Sequence, residues 1–254
     1  MTLAEQKAFW NKWNRFQRKQ EAKYVPKLVT ALQIQAKSFN KTQDVNAIPS
    51  FPIYEVLVNL YKSVGVEWAK ATRQSVRKAD GLMGFNETIL RLMNEYFGID
   101  LLNYSEWMTQ YSREVISQLL IRGNEQQMSP LEIADMIATH PEFNRMRAMR
   151  IARTETVTAA NAAAQIYAST SGMEMNKTWI AVKDKRTRHD HRAVDGTTID
   201  INLPFNVGGV EMMQPGARTQ PNGLPVPAQE IVNCRCTVAY VAKRDQNGRI
   251  ILRQ

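Results

Sequence analysis

The chain has 254 residues, room for one large domain or two smaller ones, and 44% of them are apolar, enough for a genuine core. Its formal charge of +9 points to a polyanionic partner, nucleic acid before a membrane surface, against the plainer alternative of a well-solvated basic exterior. No stretch approaches the roughly 18–20 apolar residues of a membrane span, and the opening MTLAEQKAFWNKW lacks the apolar core and cleavage site of a secretory signal, so action in a reducing cytoplasm is expected.

The first 50 residues hold nine Lys or Arg against three acids, so +6 of the +9 lies in the first fifth of the chain. Phe9, Trp10, Trp13 and Phe16 interleave with these charges, and the spacing 9, 13, 16 predicts a basic amphipathic helix. Its aromatics read as core. Lys12, Arg15, Arg18 and Lys19 are candidates for gripping double-stranded DNA, with a solvated helix face as the alternative. Pro49 and Pro52 break any helix there. Helical spacing resumes from Tyr54 to about Ala79 through Leu57, Tyr61, Val64 and Trp68, and a shorter helix covers 86–97 with Gly98 at its end. Over 105–122, Trp107, Tyr111, Val115 and Leu119 form one stripe that predicts a core-facing helix ending before Gly123.

Ser129-Pro130-Leu131-Glu132 is a capping box with Pro at the first helical position, opening a helix that Pro141 stops near Thr139. An alanine-rich helix follows from about Glu142 to Ser171, ended by Gly172. Beyond it the texture alternates with period two at 177–182, 197–202 and 234–241, with a turn at Gly208-Gly209 and a short strand at 210–213. Residues 215–227 form a long Pro/Gly loop that needs something to hold it. These elements give an α+β fold: a long helical N-terminal two-thirds followed by a small β-rich C-terminal module. They divide into a helical region, 1–125, and a domain of long helix plus β-rich module, 126–254.

The chemistry-bearing residues concentrate at the end. His189-Asp190-His191 and Cys234-Arg235-Cys236 place each pair on one face if the chain is extended, and two such pairs make a tetrahedral zinc site that would pin the Pro/Gly loop. The alternative is packed thiols and histidines bonded to Asp184 or Asp195. A second chemistry uses His189 or His191 with Asp184 and Asp195 to hold a catalytic metal for phosphodiester hydrolysis. No Gly-x-Ser-x-Gly and no phosphate-cradling glycine loop occurs, which argues against a serine hydrolase or ATP use. Arg153 and Glu155, two apart in the long helix, do not pair with each other, and one of them is expected to reach the β-rich module.

The series Arg153-Thr154-Glu155, then Trp179, Asp184-x-Arg186-Thr187-Arg188-x-x-His191, Asp195-Gly196 and Asn233-Cys234-Arg235-Cys236 resembles the phage Mu F-like minor head protein family, also called head morphogenesis proteins. The likeness runs from about Ser129 to Val241. It implies a non-enzymatic virion protein made in the host cytoplasm and lodged inside the head near the portal. Its partners would be the portal protein, capsid or scaffold proteins and double-stranded DNA. Cys and His residues of such proteins are suggested metal ligands; His191, Cys234 and Cys236 match that pattern. His189 is added here as the fourth ligand, with water, Asp184 or Asp195 as alternatives.

Overall fold

The computed structural model describes residues 1–76 and 84–253. These residues are 62% helical, and the strands are confined to the C-terminal module, so the class is α+β. Eight helices occur among the described residues: α1 Leu3–Thr42, α2 Phe51–Val76, α3 Phe85–Phe97, α4 Asp100–Glu125, α5 Pro130–Thr139, α6 Arg145–Thr170, α7 His189–Ala193 and α8 Ala228–Ile231. Five strands accompany them: β1 Met175–Ile180, β2 Thr198–Asp200, β3 Phe205–Val207, β4 Val210–Met212 and β5 Thr237–Ala242. The end expected for the second helix, near Ala79, lies outside the described residues. None of the helices is long and apolar enough to cross a membrane.

The prolines at 49 and 52 mark a helix start, not a gap. α2 begins at Phe51 and carries Pro52 in its first turn, where the missing N–H has no ladder partner to lose. Ser129 caps α5 as expected, its side chain accepting from the Glu132 N–H while Glu132 bonds back. Gly172 takes φ +70 two residues past the end of α6.

The chain forms two compact units. One is Met1–Gln20, Tyr61–Tyr96 and Arg153–Gln254; the other is Glu21–Leu60 and Phe97–Ala152. In the second, the stripe expected on α4 needs correction. Val115 and Leu119 are buried, but Trp107 is 65% exposed and Tyr111 42%. The buried face carries Ser105, Thr109 and Ser112 instead, polar residues satisfied by hydrogen bonds to the α1 side chain of Gln35 and to their own helix. Apolar spacing cannot pick out a face built that way. Gly123 lies inside α4, where a Cβ would come within 2.6 Å of Ile133 Cγ1, so α4 and α5 approach each other through a glycine.

In the first unit, Phe9, Trp13 and Phe16 of α1 pack on Trp68 of α2 with ring centroids 6.0, 4.8 and 4.7 Å away. The sheet runs β2-β1-β5, antiparallel throughout, with β1 central and paired to β5 from Met175↔Ala242 to Ile180↔Thr237. The alanines of α6 leave room for close approach to β5. Buried Asn161 accepts from Thr237 Oγ1 at 2.9 Å and donates to the Cys236 carbonyl at 3.2 Å. The Pro/Gly loop is held on α6 at Gly216 (φ +82), where any Cβ would meet the Cα and N of Thr158 at 2.9 and 3.0 Å.

Candidate metal centre

The centre is assembled from two short helical turns and a tight bend. α7 presents His191, α8 presents Glu230, and Asn233, at φ +61, turns the chain so that Cys234 and Cys236 face inward. All four side chains are buried. His191 Nδ1 lies 3.4 Å from Cys236 Sγ and 3.6 Å from Cys234 Sγ. The three ligand atoms fall within 4.8 Å of one another. Zinc–sulfur bonds of about 2.3 Å and zinc–nitrogen bonds of about 2.0–2.1 Å at tetrahedral angles put N and S about 3.5 Å apart. The observed separations match that geometry as well as they match hydrogen bonds to sulfur.

His191 Nε2 is 2.9 Å from Glu230 Oε2. A carboxylate on the far ring nitrogen fixes the tautomer that leaves Nδ1 free to coordinate. A cavity of about 20 Å³ borders the group, lined by Thr187, Arg188 and Asn233 among others. That is room for a single water-sized ligand. The donor electrostatics are divided. Contact with Cys236, then with His191, holds the Cys234 thiol well below its ordinary range, while Cys234 and burial push Cys236 well above. Burial opposes charge on His191, yet hydrogen bonding with Cys234 and Glu230 outweighs it and raises its pKa.

His189 is not part of this group. Its side chain is 88% exposed and sits 3.2 Å from Asp190. The same-face argument for His-x-His holds only in extended chain; in a helical turn residues two apart point about 200° from each other. Asp184 and Asp195 also face elsewhere. Asp184 receives both terminal nitrogens of Arg235 at 2.6 and 2.7 Å, which hold its carboxyl well below the usual range. Asp195 accepts the Ala181 N–H at 2.8 Å and lies 3.4 Å from Lys183. Among the described residues, the His/Asp constellation for hydrolysis is therefore not brought together. Glu230 is the residue that spacing missed, since a lone glutamate on a single helical turn after a Pro-rich loop gives no periodic signal.

Most of the remaining motif residues build the support around His191, Cys234 and Cys236. Trp179 packs edge-on to His191, centroids 5.6 Å apart. Arg188 donates to the Val232 carbonyl at 2.5 Å, Arg153 to Asn233 Oδ1 at 2.8 Å, and Thr154 Oγ1 accepts the Asn233 N–H at 2.8 Å. Buried Glu155 accepts from Arg218 and from the Tyr61 hydroxyl, each at 2.6 Å. Both Arg153 and Glu155 thus reach the β-rich module. Gly196 takes φ +78 and donates to the Trp179 carbonyl at 2.9 Å. Arg186 is the exception: its side chain is exposed and its backbone N–H bonds Asp184. On α1, Lys12 donates to the Ala71 carbonyl at 3.3 Å and Lys19 pairs with Glu67 at 2.6 Å, while Arg15 and Arg18 are exposed without an acid partner among the described residues.

The model of phage Mu protein F like protein matches residues 112–239, half of the chain, and that span holds His191, Glu230, Cys234 and Cys236. The chain belongs to the phage Mu protein F like family. This is a family of phage head morphogenesis proteins, typically structural. The family member is 33% identical over 129 residues to a protein of Enterococcus faecalis named NAD(+)--arginine ADP-ribosyltransferase EFV, covering 50% of this chain and 25% of that one. It is 28% identical over 142 residues to the uncharacterized protein YqbB of Bacillus subtilis, covering 54% and 44%. The matches thus span less than half of either relative. No solved structure is significantly similar to it.

Proposed function

We propose that this protein is a minor head protein of a tailed phage. In this reading it sits with the portal inside the head, contacts double-stranded DNA, and is stapled by one zinc ion on His191, Cys234 and Cys236. The observation that carries the zinc reading is the pair of 3.4 and 3.6 Å nitrogen–sulfur separations, backed by a carboxylate on the far side of the same imidazole. The metal's contribution is structural: it ties α7, the Asn233 bend and the end of the Pro/Gly loop to one point. No catalytic role is assigned. The transferase name belongs to a protein of which the match covers a quarter, and the carboxylates a hydrolytic metal would need are engaged by Arg235 and by Ala181 and Lys183.

DNA contact is assigned to the outer face of α1, through Arg15 and Arg18 first and Lys12 and Lys19 second, since the latter two already have partners. The reading is tested in two measurements. Co-expression with the cognate portal and capsid proteins should recover this chain in portal complexes and in heads at few copies. Replacing Lys12, Arg15, Arg18 and Lys19 by Gln should flatten the salt dependence of duplex binding by about four charges' worth of counterion release. Absence from portal complexes, or an unchanged salt slope, removes the corresponding part.

A further inference from the structure

A second concave site lies along a stripe of α1 that shares only Arg18 with the duplex contact. Leu3, Lys7, Trp10, Asn14 and Arg18 recur at helical spacing and face the chain segment from Ile180 to Arg186 across a groove of about 580 Å³. That volume falls within the range of about 300–1,000 Å³ typical of ligand sites. Its floor is apolar, from Trp10 and the buried Ile180, Ala181 and Val182.

Five cations line the groove (Lys7, Arg18, Lys183, Arg186, Arg235) against two carboxylates (Asp184, Asp195), a local excess of +3. Arg235 is consumed by Asp184 and Lys183 by Asp195. Lys7, Arg18 and Arg186 have no acid partner among the described residues. The side-chain amides of Gln6, Asn11 and Asn14 also line the groove and make no hydrogen bond there. An indole beside an apolar floor, amides that can both donate and accept, and three unspent cations match the parts of a nucleotide: a base to stack, polar base edges and a phosphate.

We propose that this groove binds a nucleotide unit, base against Trp10 and phosphate on Lys7, Arg18 and Arg186. The unit comes from a single-stranded end of nucleic acid or from a free nucleotide. The site shares Arg18 with the duplex contact assigned above, but Lys12, Arg15 and Lys19 do not line it.

The test titrates the full chain into a labelled ten-residue oligothymidylate strand, followed by fluorescence anisotropy. Thymidine monophosphate, a duplex of equal length and polyglutamate serve as competitors. Lys7→Gln with Arg186→Gln, both at exposed positions, should weaken strand binding about tenfold and leave duplex binding within about twofold. Trp10→Ala should weaken it about tenfold as well. The double cation variant decides if Trp10→Ala loosens α1. Competition by the monophosphate at low concentration makes a free nucleotide the source, and binding of the strand alone makes it a nucleic-acid end; either sustains the proposal. No binding of strand or monophosphate overturns it. So does binding that the double variant leaves unchanged, or displacement by polyglutamate as effective as by the monophosphate, which would mark a general anion surface. A Lys12/Arg15/Lys19→Gln variant that keeps Arg18 tests the duplex contact alone and should leave strand binding unchanged, so the two readings fail separately.

Discussion

In the unit of Glu21–Leu60 and Phe97–Ala152, buried polar side chains bridge regular helices; in the other unit they hold irregular chain. Gln35 donates to the Pro49 carbonyl and to Thr109 Oγ1 and accepts from Ser112, which in turn receives a guanidinium nitrogen of buried Arg147 at 2.9 Å. Burial brings the Arg147 pKa down to about 10, against the pull of Glu142. Each helix there would still have its ladder and its apolar face if one bond were lost. Around the cysteines, by contrast, short turns and a long loop have little ladder of their own, and Glu155, Arg188, Asn233 and His191 substitute for it. The difference teaches where each unit is vulnerable: the helical one to packing, the β-rich one to the loss of a few named polar groups.

The largest expected break is at the ligands. Cys234→Ser and His191→Ala should each abolish zinc binding, measured by elemental analysis of the purified chain, and lower the melting temperature by ten degrees or more, on the order of a structural zinc site's contribution. Glu230→Gln should retain the metal with affinity reduced roughly 10–100-fold. A wild-type chain without stoichiometric metal, with both ligand variants fully folded, would make the cluster an ordinary packed pair of thiols. Next comes Gly216→Ala, which sets a methyl against the Thr158 backbone at a positive φ. A loss of about 2–4 kcal/mol in urea unfolding is expected. A neutral result would mean that the Pro/Gly loop does not rest on α6. In the helical unit, Gln35→Ala leaves Thr109, Ser112 and the Pro49 carbonyl short of partners and should cost about 1–3 kcal/mol.

This asymmetry also governs what the sequence could reveal. Helices α5 and α6 were readable because Ser129, Pro141 and Gly172 mark their ends, whereas the short α7 and α8 were not. Alternation at 177–182 and 234–241 located strands that run over 175–180 and 237–242. The polar stripe of α4 was not, because Ser105, Thr109 and Ser112 look like a solvent face until Gln35 is known to lie against them. At the site, His191, Cys234 and Cys236 were visible as a family pattern. His189 was misplaced because its backbone is helical, and Glu230 was invisible because its role depends on a loop returning from 39 residues away. Arg218, the partner of Glu155, is hidden for the same reason.

The last effect, and the one read from a pH profile, concerns Lys177. It is fully buried on β1, donates to the Met213 carbonyl at 2.8 Å and lies 5.2 Å from the centre of the Phe205 ring. Burial lowers its pKa to about 7, with Asp200 pulling the other way. Below pH 7 both folded and unfolded chains carry the proton, so the burial penalty is present in full. As pH rises from about 7 toward the unfolded value near 10.5, the folded chain gives up the proton and the unfolded chain keeps it. Stability attributable to this residue should therefore rise with pH, by up to about 1.4 kcal/mol per pH unit across that window. Lys177→Met removes the burial penalty and the titration along with one hydrogen bond, so the variant's advantage over wild type should be greatest at pH 7 and shrink steadily toward pH 10. The proposed zinc ligation would have its own pH dependence, common to both chains, and would cancel in the difference between them. A difference that stays flat from pH 7 to 10 would mean that Lys177 keeps its proton in the folded protein, and that the Met213 carbonyl and the Phe205 ring solvate a buried ammonium well enough to offset the loss of water.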